Sequence, residues 1–234
     1  MIYLFFAIIV LVVSLFIFSK RKYKIKTTTI VDETLPVGFE SLSIVLVSNF
    51  SRIYEIDTLI PFVKNSIVIV LGDVVQKKQS SKRVKKQLAL FKSLLPKYFI
   101  FSESENAWGK KDVDALLLEN QFTILQNDRV IFYGDDLESK VVIVGIDEGM
   151  KGETQYHYAY TDIDECDYVI VCSYDFPKEL VNDQRFRFSG LITSKEFVNE
   201  TTRKIWGYST KQHKDSFLGY ITRQPELHTI TITR

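Results

Sequence analysis

The run from Ile2 to Phe18 contains no charged residue, no proline and no glycine, and it constrains the chain more than any other feature. At about 1.5 Å of rise per residue, a helix of this length just crosses a hydrocarbon core of roughly 30 Å. A cleaved signal peptide has a basic start, a shorter apolar region and a small-residue cleavage site. Here only the chain's own amino group precedes the run, and Lys20, Arg21, Lys22, Lys24 and Lys26 follow it. Residues 1–19 are therefore expected to form an uncleaved transmembrane anchor. Positive charge beside a membrane helix tends to stay in the cytoplasm. The expected location is the cell membrane, single-pass, with the soluble domain on the cytoplasmic side.

The first thirty residues hold five basic and no acidic side chains, which leaves 25 basic and 29 acidic residues for the rest. A soluble part with a net charge of about −4 lacks the basic footprint of a nucleic-acid binder. At about 200 residues it can bury a substantial core as one domain. Residues 20–40 read as a basic juxtamembrane stub, and 41–234 as a single domain. Two cysteines, Cys166 and Cys172, do not make a disulfide framework. Cys172 lies in the apolar run Tyr168–Cys172, where a buried free thiol is the ordinary state.

Leu42–Val47, Ile67–Leu71 and Tyr98–Phe101 are continuous apolar runs, of the kind buried on both faces of a sheet. Ile56 to Val63 has helical spacing. Val84, Leu88, Phe91 and Leu95 mark one helix face that stops before Pro96, and Val113 to Leu118 reads as another helix. The second half is mostly strand: Phe122–Leu125, Val130–Tyr133, Val141–Ile146, Tyr168–Cys172, Phe186–Phe188, Ile205–Tyr208, Phe217–Thr222 and Thr229–Thr233. This order predicts an α/β fold of two packed mixed sheets flanked by helices.

In alternating α/β sheets, ligands sit beyond the C-terminal ends of strands. Here those ends read Asn49-Phe50-Ser51, Gly72-Asp73-Val74-Val75-Gln76, Ser102-Glu103-Ser104-Glu105, Ser173-Tyr174 and Gly190-Leu191-Ile192-Thr193. In order and spacing these places resemble the five motifs of the calcineurin-like metallophosphoesterases. The resemblance is closest to a membrane-anchored bacterial branch, in which a "YKIKTTTI…LP" stub leads into the first strand, and it runs from Tyr23 to the C-terminal Pro225-Glu226-Leu227 and Ile230-Thr231-Ile232. It implies a four-layer αββα sandwich of two mixed sheets after the transmembrane helix.

The family's motifs are D-x-H, G-D-x-x-D, G-N-H-E, a Ser-His pair and G-H-x-H. Set against them, Asn49, Ser51, Asp73, Glu103, Tyr174, Leu191 and Thr193 stand where the family's metal ligands are expected, and Ser104 where its catalytic histidine is. Only Asp73 keeps its type. A two-metal phosphoesterase polarises the phosphoryl group and generates hydroxide with those ligands. Leu191 cannot coordinate, Ser51 and Thr193 are poor ligands when neutral, and Tyr174 would have to ionise. The resemblance therefore implies a pseudoenzyme: no catalytic residues, no cofactor, and at most weak divalent-cation binding at Asp73, Glu103 and Asn49. A membrane-anchored binding or scaffold module is the expected function. The alternative is a weak or altered metal-dependent phosphoesterase using Asp73 and Glu103. His157, His213 and His228 lie outside the motif positions.

Two further stretches are candidate binding surfaces. Lys77, Lys78, Lys82, Arg83, Lys85 and Lys86 form a dense basic run. A solvated helix face is its ordinary meaning, and contact with anionic lipid its functional one. Tyr156, Tyr158 and Tyr160 alternate in a polar segment, either as a half-exposed strand or loop packed on the body or as a partner surface. The expected partners are the membrane through residues 2–18 and another membrane-associated protein, with anionic lipid as a further candidate and nucleic acid disfavoured.

Overall fold

A computed structural model of the chain describes residues 24–48, 66–75, 80–91, 96–147, 156–193, 205–206 and 226–234. The anchor segment 2–18, the helical pattern at 56–63, the strand candidate at 217–222 and His213 lie outside the described residues. Among the described residues, no helix is long and apolar enough to cross a membrane.

The first sheet contains β1 (Lys24–Val31), β2 (Ser41–Ser48), β3 (Ile67–Leu71), β4 (Lys97–Ile100), β5 (Thr123–Ile124) and β11 (Glu226–Thr233). Their spatial order is β1-β11-β2-β3-β4-β5. Only the β11–β2 pairing is antiparallel, so the sheet is mixed. The second sheet contains β6 (Asp128–Tyr133), β7 (Lys140–Ile146), β8 (Tyr168–Ser173), β9 (Gly190–Thr193) and β10 (Ile205–Trp206), in the order β10-β9-β8-β7-β6. It is parallel apart from the β6–β7 hairpin. The helices are α1 (Ser81–Ala89), α2 (Glu103–Glu119), α3 (Tyr156–Ala159) and α4 (Lys178–Asn182).

Strand alternation divides the apolar residues among three layers of core. Val68, Val70 and Phe99 face outward from the first sheet and pack with Val84, Leu88, Val113 and Leu117 of α1 and α2. Ile67, Ile69 and Ile100 face inward and meet Ile143, Ile170 and Cys172 of the second sheet. Val144, Val171 and Leu191 face outward from the second sheet and pack with Ala159 and Leu180 of α3 and α4. The layers therefore run helix, sheet, sheet, helix. Burial of all five residues of β3 follows from its central place, covered by helices on one side and the second sheet on the other. Cys172 is buried as a free thiol, and burial pushes its pKa up.

Several elements depart from the sequence pattern. The stretch read as a stub carries β1, an edge strand whose neighbour is β11. α1 ends at Ala89, short of the Leu95 that the apolar spacing suggests, and Phe91 is buried just beyond the helix. The helix read at Val113–Leu118 is the last part of α2, which begins at Glu103. Phe186–Phe188 is not a strand; the strand at this place is β9, which starts at Gly190. The tyrosine run forms a helical turn, the third solution to a segment read as strand or loop.

Candidate functional site

β3 delivers its chain into two successive left-handed residues, Gly72 at φ 58° and Asp73 at φ 56°. Glycine adopts that region freely, and a short polar side chain such as aspartate tolerates it. At Gly72 space is as decisive as backbone angle. A Cβ there would lie 2.4 Å from Ser102 Cβ and 2.9 Å from Tyr174 Cδ2. The Gly72 amide donates to the Ile100 carbonyl at 2.8 Å, so the turn leaves the sheet with its pairing to β4 intact.

β4 ends at Ile100, and two residues on Ser102 is the N-cap of α2. Ser102 has extended backbone angles and forms a capping box with Glu105, in which each side chain satisfies the other's orphan amide. The Ser102 amide donates to Glu105 Oε2 at 2.9 Å, and the Ser102 hydroxyl donates to the same oxygen at 2.5 Å. The hydroxyl also accepts from the Ser104 amide at 3.2 Å and from the Asp73 amide at 3.3 Å. Glu105 Oε1 reaches across and accepts from the amides of Val74 at 2.8 Å and Val75 at 3.4 Å. One fully buried carboxyl thus caps α2 and closes the turn after β3. Burial raises its pKa above the ordinary glutamate range; hydrogen bonds from Ser102 oppose that shift, and the Asp73 charge adds to it.

Tyr174, just past β8, brings the second sheet to the same place. Its hydroxyl donates to Asp73 Oδ2 at 2.8 Å, while the Ser104 hydroxyl donates to Asp73 Oδ1 at 3.1 Å. Burial, followed by the Asp73 charge, pushes the Tyr174 phenol well above its usual range. It keeps its proton and acts as a donor. Both oxygens of the Asp73 carboxylate therefore face a hydroxyl.

Glu103, Leu191 and Ile192 do not join this cluster. Glu103 is exposed at the first position of α2, and Glu105, two residues on, is the carboxylate that points inward. Leu191 packs on the outer face of the second sheet with Val171 and Leu180. Ile192 faces the inter-sheet core, and Thr193 is buried opposite Ser173 in register. Asn49, Ser51, Gln76, Lys77 and Lys78 lie outside the described residues. His228 is buried in β11, and His157 on α3 meets Phe186 edge-on, with ring centres 5.2 Å apart. Among the described residues there is no group of three His, Cys, Asp or Glu arranged to hold a metal.

Lys82, Arg83, Lys85 and Lys86 are exposed on α1, and Lys85 pairs with Glu119 of α2 at 2.6 Å. Of the three tyrosines, Tyr158 is exposed, whereas Tyr156 is buried and Tyr160 half-buried, both ringed onto Phe186.

Sequence reading missed Glu105. The signal was present: Ser102-x-x-Glu105 before an apolar helical pattern is a capping-box signature. The fold and site together define an α/β protein of two packed mixed sheets whose strand-end turn is closed by hydroxyl and carboxylate hydrogen bonds. No family model and no curated protein matches the chain. Among solved structures it is similar to the NAD nucleotidase (NadN) of Haemophilus influenzae, at 14% identity with a TM-score of 0.44. That likeness covers 68% of this chain and 40% of the other, and nothing about this chain's chemistry follows from a likeness of that size.

Proposed function

We propose that this chain is a membrane-anchored, non-catalytic protein on a calcineurin-like metallophosphoesterase scaffold, acting as a binding or scaffold module. The observation that carries this reading is the state of Asp73. A metal-bridging aspartate works together with neighbouring carboxylate and imidazole ligands. Here hydroxyl donors from Ser104 and Tyr174 engage both oxygens, and a phenol that keeps its proton is no ligand. The donor set at this turn, two hydroxyls and a capped glutamate, does not fit a two-metal clamp. A half-buried carboxylate gains from donors that offset its lost hydration, and the Ser104 and Tyr174 hydroxyls supply them here. The anchor reading rests on Ile2–Phe18 and the basic residues that follow.

The test is a phosphoesterase assay of the purified full chain with p-nitrophenyl phosphate and bis-p-nitrophenyl phosphate, with and without manganese. The expected result is no turnover above that of Asp73→Asn. Metal-dependent turnover that Asp73→Asn abolishes would establish an altered phosphoesterase instead. For topology, a reporter fused after Arg234 should be active in the cytoplasm. Activity of an export-dependent reporter at that position would reverse the orientation.

A further inference from the structure

Strand register places the loop 32–40 and the β6–β7 hairpin at the end of the sandwich opposite Asp73. Val31 pairs with Thr233, and Thr233 with Ser41, while Tyr133 pairs with Lys140. The two loops touch: the Asp135 amide donates to the Gly38 carbonyl at 3.0 Å. At this joint Val37 is 74% exposed and Leu137 is 77% exposed. Leu137 also has φ 61°. A bulky residue in the left-handed region is a backbone outlier, and such strain clusters at functional places. Asparagine or glycine would sit there at lower cost, and an exposed leucine gains nothing from folding to offset it.

Around these two side chains stand Glu33, Glu40, Asp135, Asp136 and Glu138, all exposed. Lys140 beside them is tied to Asp164 at 2.8 Å, and Arg234, exposed at the end of β11, offsets one of the five. The tip is thus an apolar knob in an acidic rim. An anionic bilayer repels such a surface, whereas a basic protein surface with an apolar centre complements it.

The chain presents that complement at the same end. Leu118, 64% exposed, lies in the last turn of α2, just before β5. Lys85 is bonded to the adjacent Glu119, and Lys82 and Lys86 project from the same helix, exposed. We propose that the acidic tip of one copy docks on the basic α1–α2 corner of a second copy, Val37 and Leu137 meeting Leu118. The two patches differ, so the contact is heterologous and propagates into rings or rows. Leu118 and the acidic tip lie at the same end of the sandwich, so side-by-side copies bring them together. This inference stands apart from the catalytic reading and survives its failure.

The test uses the full 234-residue chain in mild detergent, followed by sedimentation velocity over a concentration series. Association should grow with concentration and weaken in high salt. Asp135→Lys with Glu138→Lys should weaken it at least tenfold, and mixing that variant with a Lys82→Glu, Lys86→Glu copy should restore it. Leu137→Asn should weaken association while raising the melting temperature, which separates docking from folding. In a Cys166→Ser background, mixed Leu118→Cys and Leu137→Cys copies should cross-link to each other on oxidation. A monomer at every concentration overturns the proposal and leaves the tip to a basic segment of another protein. Leu137–Leu137 cross-links in preference to the mixed pair, or association indifferent to charge reversal, overturn it as well.

Discussion

The Tyr174 hydroxyl donates to Asp73 Oδ2 at 2.8 Å, a bond that ties the end of the second sheet to the turn closing the first. Tyr174→Phe removes one donor to an ionised acceptor and leaves the ring in place. A hydrogen bond to a charged group contributes about 1.5–3 kcal/mol. Denaturant unfolding should show a loss of that order, with little change in the slope. A variant as stable as the parent would mean that solvent already satisfies Asp73.

Glu105 makes a pH prediction. Its folded pKa is raised above 4.5 by burial, so the folded state holds the proton more tightly than the unfolded chain. Stability contributed by the protonated group is present below the ordinary glutamate range and lost as pH rises through the raised value. Relative to Glu105→Gln, which does not titrate, the parent should lose stability as pH climbs from about 4 to neutrality. A gap that widens in the parent's favour over that range would show the carboxylate to be the preferred form.

Glu105→Ala is harsher at any pH. It strips the partners from the amides of Ser102, Val74 and Val75. Leaving buried donors unsatisfied costs about 1–3 kcal/mol each when water does not replace the partner. Hydrogen exchange should speed up at Val74 and Val75 while the amides of β7 and β8 stay protected. Uniform acceleration across both sheets would instead mean that the turn is no separate unit.

Gly109 breaks α2 into two helical pieces, with φ 129° and ψ 89°. That region is essentially closed to other residues. Gly109→Ala should cost about 1–3 kcal/mol. It should also move the capped first turn relative to the part carrying Val113 and Leu117. Calorimetry on the variant checks the first claim; a melting point equal to the parent's sinks it.

Metal dependence of stability follows from the same hydroxyl arrangement. Ligands that bind only the folded state raise its melting temperature by mass action. Manganese or zinc at low concentration should shift the melting temperature by less than about 1 °C, since among the described residues no group of three His, Cys, Asp or Glu is arranged to hold a metal. A strong chelator should do no more. A large shift with either would reveal ligands among the residues around this turn.

The long apolar runs were legible because burial on both faces leaves no polar alternation, as at Ile67–Leu71 and Val141–Ile146. Lys24–Val31 was not, since an edge strand is polar and threonine-rich and its apolar face is thin. α2 was read from Val113 because Gly109 interrupts the helical period, hiding the turn that Ser102 and Glu105 cap. At the site, Gly72 and Asp73 were visible as a turn after a strand. What sequence position did not convey was direction. In β9, Leu191 shares neither face nor neighbours with Ile192, a consequence of strand alternation that placing residues in motif slots overlooks. Nor did the sequence mark Tyr174 as a donor to Asp73, a contact across 101 residues.

β1 pairs in parallel with β11 along its whole length, and β11 separates it from β2. The order of synthesis therefore works against the first sheet. Residues 24–48 leave the ribosome without β11, the neighbour both strands share, and wait for it while some 180 further residues are made, roughly 10–40 s at ordinary translation rates. Through that interval β2 offers an unpaired apolar edge to whatever chain lies nearby. A nascent protein stalled or cleaved before Glu226 would keep that edge open, so loss of the last nine residues should produce aggregates rather than a slightly weakened domain.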